Sequence, residues 1–273
     1  MADSSPNRRQ AAADLLAFYS EAGVDAVLGE QPTNWLEPDL SAQSPTPLPQ
    51  AKAPMPPAAR PGASAPGPRP AAPQAPDVAV MAAREAARSA ATLDELRAIL
   101  DSFEGCGLKA SASRLVFADG TPNSRLMLVG EAPGAEEDKQ GLPFVGRSGQ
   151  LLDRMLAAIG LDRRQVYIAN IVPWRPPGNR TPTPVETQIC LPFVQRQIEL
   201  CNPDILVTIG QPSTGALLGI QGITKNRGRW FSYQLDSREI RAMPMLHPAY
   251  LLRSPIGKRH AWRDLLAIKK ALD

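Results

Sequence analysis

Residues 126–134, LMLVGEAPG, decide the fold, because four apolar residues run directly into a turn rich in glycine and proline. Three more apolar runs also end in a polar or glycine-rich element: VYIA at 166–169, ILVTI at 205–209 and AMPML at 242–246. Amphipathic segments at 150–159 and 184–200 separate the first three runs, and such alternation predicts a parallel sheet with helices on both faces. We therefore predict an α/β fold, a three-layer αβα sandwich around a mainly parallel sheet of roughly four strands.

Polar side chains follow three of these predicted strands at their C-terminal ends. Glu131 comes just after the first strand, Asn170 after the second and His247 after the last. Parallel strands end at the same edge of a sheet, and open α/β sheets bind their ligands along that edge. We expect these three side chains to lie close together although they are far apart in sequence.

Composition divides the chain into three parts. Twelve of the 29 prolines lie within residues 41–76, which are nearly all Pro, Ala, Ser, Gly and Gln, and this predicts a disordered linker. Residues 1–40 contain one short helical pattern at 11–24, which we interpret as a helical appendage. We favour an appendage that packs on the core or on nothing over a tethered recognition helix with an unknown partner. Residues 77–273 are long enough for one well-buried domain, which we expect to begin with a helix at 78–103 with a candidate cap at Thr92.

Charge and cysteine content exclude several classes of protein. Residues 80–273 hold 25 Lys and Arg against 19 Asp and Glu, a modest basic excess that is compatible with a phosphate-bearing partner. Three cysteines are too few for a disulfide framework, and no apolar run approaches the roughly 20 residues of a membrane span. The N-terminus lacks the apolar segment of a signal peptide, and neither a P-loop nor a GxGxxG motif occurs. We expect a cytoplasmic monomer with no membrane partner.

Three blocks of sequence carry a family resemblance. Residues 130–152, GEAPGAEEDKQGLPFVGRSGQLL, closely resemble the first signature of the uracil-DNA glycosylase superfamily, specifically of its family 4 enzymes. Residues 170–184, NIVPWRPPGNRTPTP, and 247–253, HPAYLLR, are similar to the second and third signatures, in the expected order and spacing. The resemblance implies that residues 77–273 are a uracil-DNA glycosylase-like catalytic domain. Such an enzyme flips uracil out of DNA and hydrolyses its N-glycosidic bond, a monofunctional step of base excision repair that leaves an abasic site.

The resemblance also implies a set of site residues. Phe144 would stack on the uracil face, and Asn170 would accept from N3–H while donating to O4, a pattern that cytosine reverses. His247 would donate to uracil O2, and Glu131 would orient or deprotonate the attacking water and stabilise the sugar cation. Sequence alone leaves open how the last two residues divide the catalytic work. Glu137 could shape the pocket or cap its turn.

Contact with DNA is expected from two basic segments. The loop at 247–253 would press apolar side chains against the duplex and offer a cation to phosphate, through Tyr250, Leu251, Leu252 and Arg253. A second candidate patch consists of Lys225, Arg227 and Arg229. Single arginines are usually only solvated, so the prediction depends on the clusters.

The cofactor is where the chain departs from the family. Family 4 enzymes normally carry a 4Fe-4S cluster on four cysteines, but at those positions this chain has Phe103, Cys106, Trp174 and Cys190. Cys201 lies eleven residues beyond Cys190 on a predicted helix, about 16 Å away at 1.5 Å per residue, so it cannot complete the set. Two sulfur ligands do not hold a stable cluster, and we expect no cofactor.

One alternative from a different class remains at this point. A non-catalytic DNA-binding or scaffold protein could keep the glycosylase fold and lose activity with its cluster. The combination of Glu131, Phe144, Asn170 and His247 favours the enzyme, because a binding protein has no need of all four.

Overall fold

The computed structural model describes residues 76–273. The appendage predicted at 1–40 and nearly all of the linker predicted at 41–76 lie outside the described residues. No helix in this described part combines the length and apolarity needed to cross a bilayer.

Within residues 76–273 there is one six-stranded sheet, with the spatial order β1-β3-β2-β4-β6-β5. Its strands are β1 (Asp119–Gly120), β2 (Leu126–Gly130), β3 (Tyr167–Asn170), β4 (Ile205–Ile209), β5 (Phe231–Gln234) and β6 (Glu239–Met245). The four central strands are parallel, whereas β1 pairs with β3 and β5 pairs with β6 in antiparallel fashion. The predicted α/β sandwich is confirmed, and the roughly four predicted strands are the central parallel ones, to which two edge strands are added. The two edge strands are short and carry no apolar run that would reveal them.

Nine α-helices accompany the sheet in the described residues. They are α1 (Pro76–Ser89), α2 (Leu93–Ser102), α3 (Ala135–Gln140), α4 (Arg147–Ala157), α5 (Pro184–Cys201), α6 (Gln211–Leu218), α7 (Ile223–Asn226), α8 (Pro248–Arg253) and α9 (Lys258–Leu272). The single helix predicted at 78–103 is two helices. Thr92 caps the second one, since its side chain accepts a hydrogen bond from the Glu95 amide and so starts α2 at Leu93.

Alternation along the strands builds one core on each face of the sheet. In β2, Met127 and Val129 belong to the core that α1, α2 and α5 cover. Leu126 and Leu128 belong to the opposite core, covered by α4 and α9. All four side chains are at most 2% exposed, as expected for a strand in the middle of a three-layer sandwich.

Small residues allow α1 to lie close to α5. Ala79, Ala83 and Ala87 recur every four residues along α1, and all three are buried within the core that includes α5. A larger side chain has no room at the middle of this row, because protein interiors are packed as densely as organic crystals.

Replacing Ala83 with leucine should therefore destabilise the domain. Overpacking of a close helix contact costs about 1–3 kcal/mol of unfolding free energy. Urea denaturation measures the loss, and Ala82→Leu on the exposed side of the same turn is the matched control. Equal stabilities of the two variants would contradict the close packing of α1.

Candidate active site

A cavity of about 580 Å³ opens at the carboxyl ends of the parallel strands. Glu131, Phe144, Asn170 and His247 all line it. The structure thus brings together the three strand-end residues and the aromatic residue that the sequence singled out.

Strand register fixes two of these residues relative to each other. Gly130 at the end of β2 pairs with Asn170 at the end of β3, and the ladder continues where the Val172 amide donates to the Glu131 carbonyl at 3.0 Å. Gly130 must lack a side chain, because a Cβ there would lie 2.6 Å from Phe144 Cζ and would also crowd Asn170 Oδ1. The amide of Asn170 and the ring of Phe144 therefore both lie against the backbone of Gly130.

The Glu131 carboxylate holds the one buried side-chain oxygen or nitrogen in the described residues that lacks a hydrogen-bond partner. Its Oε1 is buried and has no hydrogen-bond partner there. Burial raises the pKa of Glu131 above its ordinary value. A desolvated carboxyl group without a fixed partner is typical of a site that must bind a water or stabilise positive charge.

His247 is held in one tautomer. It caps α8, and its Nδ1 accepts a hydrogen bond from the Ala249 amide at 3.1 Å, so the proton of the neutral ring lies on Nε2. Burial, with a smaller contribution from the charge of Arg253, lowers the pKa of His247 to about 4. Gly210 at the end of β4, with φ of +90°, lies against the ring and leaves room for it. Near neutral pH this residue is a neutral hydrogen-bond donor.

Phe144 is supported by the loop around it. Its ring is 5% exposed and stacks against His247 with 5.6 Å between ring centroids. Glu137, which also lines the cavity, accepts hydrogen bonds from the amides of Gly134, Val145 and Gly146. Sequence left the role of Glu137 open between pocket wall and turn cap, and in the structure it serves as both.

Comparison with known proteins adds to this geometry. A family model described as the uracil DNA glycosylase superfamily matches residues 117–266. The chain belongs to this superfamily. It is 40% identical over 185 residues to the type-4 uracil-DNA glycosylase of Sulfurisphaera tokodaii, covering 66% of this chain and 84% of the relative. It is also 43% identical over 153 residues to that of Thermotoga maritima, covering 55% and 77% respectively.

Two of the residues expected to contact DNA are engaged within the domain instead. Leu251 is fully buried in the core beneath α4 and α9, so the prediction that it presses on the duplex is wrong. Its neighbours Tyr250 and Leu252 remain exposed, at 41% and 39%. A helix turn inserts one of three consecutive side chains into the core, which the apolar sequence alone does not reveal.

Arg227 is the second correction. Its guanidinium forms an ion pair with Asp264 of α9, a residue that is 1% exposed. Arg227 therefore fastens its loop to the domain instead of facing phosphate. Lys225 and Arg229, on either side of it, are exposed.

The position of the family's iron–sulfur cluster does not fit such a group. Cys190 donates a hydrogen bond to the Cys106 sulfur across 3.8 Å, and these are the only two sulfurs at the four family positions. Phe103 packs edge-on against Phe193 at 5.0 Å between ring centroids, and Trp174 is 2% exposed. Among the residues described, no three His, Cys, Asp or Glu side chains gather to hold a metal ion. Cys201 is buried but belongs to no such group.

Gln211 is a cavity residue that sequence reasoning missed. It begins α6 directly after β4, the one parallel strand to which no site residue had been assigned. Its side-chain amide donates to the Ile220 carbonyl at 2.8 Å and accepts from the Ile223 amide at 2.8 Å. Gln211 thereby holds the start of the basic loop beside the cavity. The sequence signal that could have found Gln211 is its position just after a parallel strand, at the edge where ligands bind.

The depressed pKa of His247 has a measurable consequence for stability. The unfolded chain binds this proton near pH 6.5, whereas the folded protein binds it only near pH 4. The unfolding free energy should therefore fall by up to about 3 kcal/mol as pH falls from 6.5 to 4. Above pH 6.5 this residue should not change it. Unfolding free energies of wild type and His247→Asn across this range measure the effect. An identical pH dependence in the two proteins would contradict the burial of a neutral ring.

Proposed function

We propose that this chain is a uracil-DNA glycosylase that hydrolyses the N-glycosidic bond of uracil in DNA and leaves an abasic site. The observation that carries the proposal is the convergence of Glu131, Phe144, Asn170 and His247 on one cavity. The type-4 uracil-DNA glycosylases to which the chain is similar support it. A scaffold protein would not require a buried, unpaired carboxyl group beside an aromatic face and an amide.

Recognition of the base divides between stacking and hydrogen bonding. Phe144 offers an aromatic face, and stacking is worth about 1–3 kcal/mol per base but does not distinguish pyrimidines. Asn170, which is 5% exposed, supplies the distinction by accepting from uracil N3–H and donating to O4. Cytosine would leave both of these groups unpaired in a dry pocket, and this costs several kcal/mol.

The departing base develops negative charge, and His247 stabilises it. The fixed Nε2–H of the neutral imidazole donates to uracil O2 as charge accumulates there. Because the pKa of His247 is about 4, the ring donates a hydrogen bond without transferring its proton. Uracil leaves as an anion or takes its proton from water.

The sugar develops positive charge, and Glu131 faces it. An ionised carboxylate in a partly desolvated site both stabilises an oxocarbenium-like sugar and orients the water that attacks it. The carboxylate of Glu131 lines the cavity, and no side chain or amide of the described residues donates to it, so it can accept from that water. The proton released by the water passes to the carboxylate or to solvent.

Exposed residues beside the cavity hold the DNA. Tyr250 and Leu252 fill the gap left by the flipped base, and Arg253, which lines the cavity, contacts a phosphate. Lys225 and Arg229 form a second phosphate contact on the loop that Arg227 anchors. We further propose that the enzyme is a cytoplasmic monomer, with residues 1–40 joined through 41–76 to the catalytic domain at 77–273 and available to an unknown partner.

Incubation with an oligonucleotide that carries one uracil, followed by alkali, tests the proposal. Wild type should cleave it, and Glu131→Gln should lose about 10²–10⁴-fold in rate, whereas Glu136→Gln on the exposed side of α3 should not. Since burial raises the pKa of Glu131, the wild-type rate should fall as pH falls through a value above that of an ordinary glutamate. Lack of cleavage by wild type on U·G, U·A and single-stranded substrates would refute the function.

We also propose that the enzyme works without iron. Phe103 and Trp174 replace two ligands with large apolar groups, and the two remaining cysteine sulfurs are hydrogen-bonded to each other. Protein purified without oxygen should show no stoichiometric absorption band near 400 nm, should contain no stoichiometric iron and should cleave uracil DNA in the presence of a chelator. A cluster band that disappears together with activity would overturn this.

A further inference from the structure

The backbone at Phe144 has an unusual conformation. Its φ is +53°, in the left-handed region that bulky side chains rarely adopt. Residues in such conformations persist only where their surroundings enforce them, and they cluster at functional sites. The same residue carries the aromatic face of the cavity, so its backbone decides where that face points.

Three groups enforce this conformation. Glu137 accepts from the amides that follow Phe144, those of Val145 and Gly146. Gly149 of α4 packs directly on the Phe144 peptide, since a Cβ at Gly149 would overlap the Phe144 carbonyl. The third group is Arg163, whose guanidinium donates to the carbonyls of Pro143 and Phe144.

Arg163 is itself fixed from the opposite side. Its Nε donates to Asp153 of α4 at 2.7 Å, and its Nη1 donates to Asp119 of β1 at 2.6 Å. The planar guanidinium thus lies between two carboxylates and two carbonyls, which uses four of its five N–H groups. Its side chain is 22% exposed, whereas the adjacent Arg164 is 89% exposed and pairs only with Asp162.

We propose that Arg163 is a positioning residue for base stacking. It does not line the cavity, and it acts by holding the Phe144 peptide so that the ring is presented to the extruded base before the base arrives. A preset ring avoids the ordering cost that a mobile one would incur on binding. A lysine cannot replace Arg163, because an ammonium group is not a planar fork that reaches both carbonyls and both carboxylates. The inference rests on the proposed function, because it assigns Phe144 to the uracil face.

A double-mutant cycle tests the inference. Arg163→Gln, Phe144→Ala and the double variant are compared for single-turnover excision of uracil and for affinity toward an oligonucleotide with an uncleavable 2′-fluorinated deoxyuridine. Arg163→Gln alone should lose about tenfold in both, within the range that one stacked base contributes. In the Phe144→Ala background the same change should alter either quantity by less than about twofold. Arg163→Lys should lie nearer to glutamine than to wild type.

Arg164→Gln is the matched control and should behave as wild type. A purely structural role for Arg163 would lower rate and affinity by the same factor in both backgrounds, and that result would overturn the inference. If wild type excises no uracil, the proposed function fails, but the affinity cycle still decides the role of Arg163. Thermal melting checks the folding of each variant, and Arg163→Lys takes the place of glutamine in the cycle if the latter unfolds.

Discussion

The common end point of the parallel strands is the constraint on which the site depends. Gly130 pairs with Asn170, and the Gly210 amide donates to the Met245 carbonyl at 2.8 Å, so β2, β3, β4 and β6 stop in register. The residues that follow them then have only one edge at which to lie. A shift of one residue in any strand would move its side chains to the opposite face of the sheet and remove one member of the site.

Much of this arrangement can be predicted from sequence because it is local. An apolar run that ends in a polar residue specifies both a buried strand and what lies at its end, and Glu131, Asn170 and His247 follow that rule. Thr92 caps a helix through a hydrogen bond that spans three residues, and its effect was visible as a candidate cap. The family signatures added the aromatic residue Phe144, which periodicity alone would assign to the core.

What the sequence does not reveal depends on contacts between distant segments. The edge strand β1 exists because Gly120 meets Tyr167, and its two residues have no pattern of their own. Leu251 is buried because α4 and α9 cover it, whereas the adjacent Leu252 is exposed. Arg163 and Asp119 are 44 residues apart, so neither could be connected with Phe144 before the fold was known.

The buried ion pair between Arg227 and Asp264 fixes a loop to the domain at the cost of a buried charge. A carboxylate that is 1% exposed is costly to desolvate, and burial raises the pKa of Asp264 even with the guanidinium beside it. Gly228, with φ of +71°, leaves no side chain to separate the loop from this carboxylate. The loop with Lys225 and Arg229 is therefore tied to α9 through Arg227. In the proposed contact with DNA, a loop whose backbone is already fixed would lose little conformational entropy on binding, which would offset the cost of burying a charge in the domain.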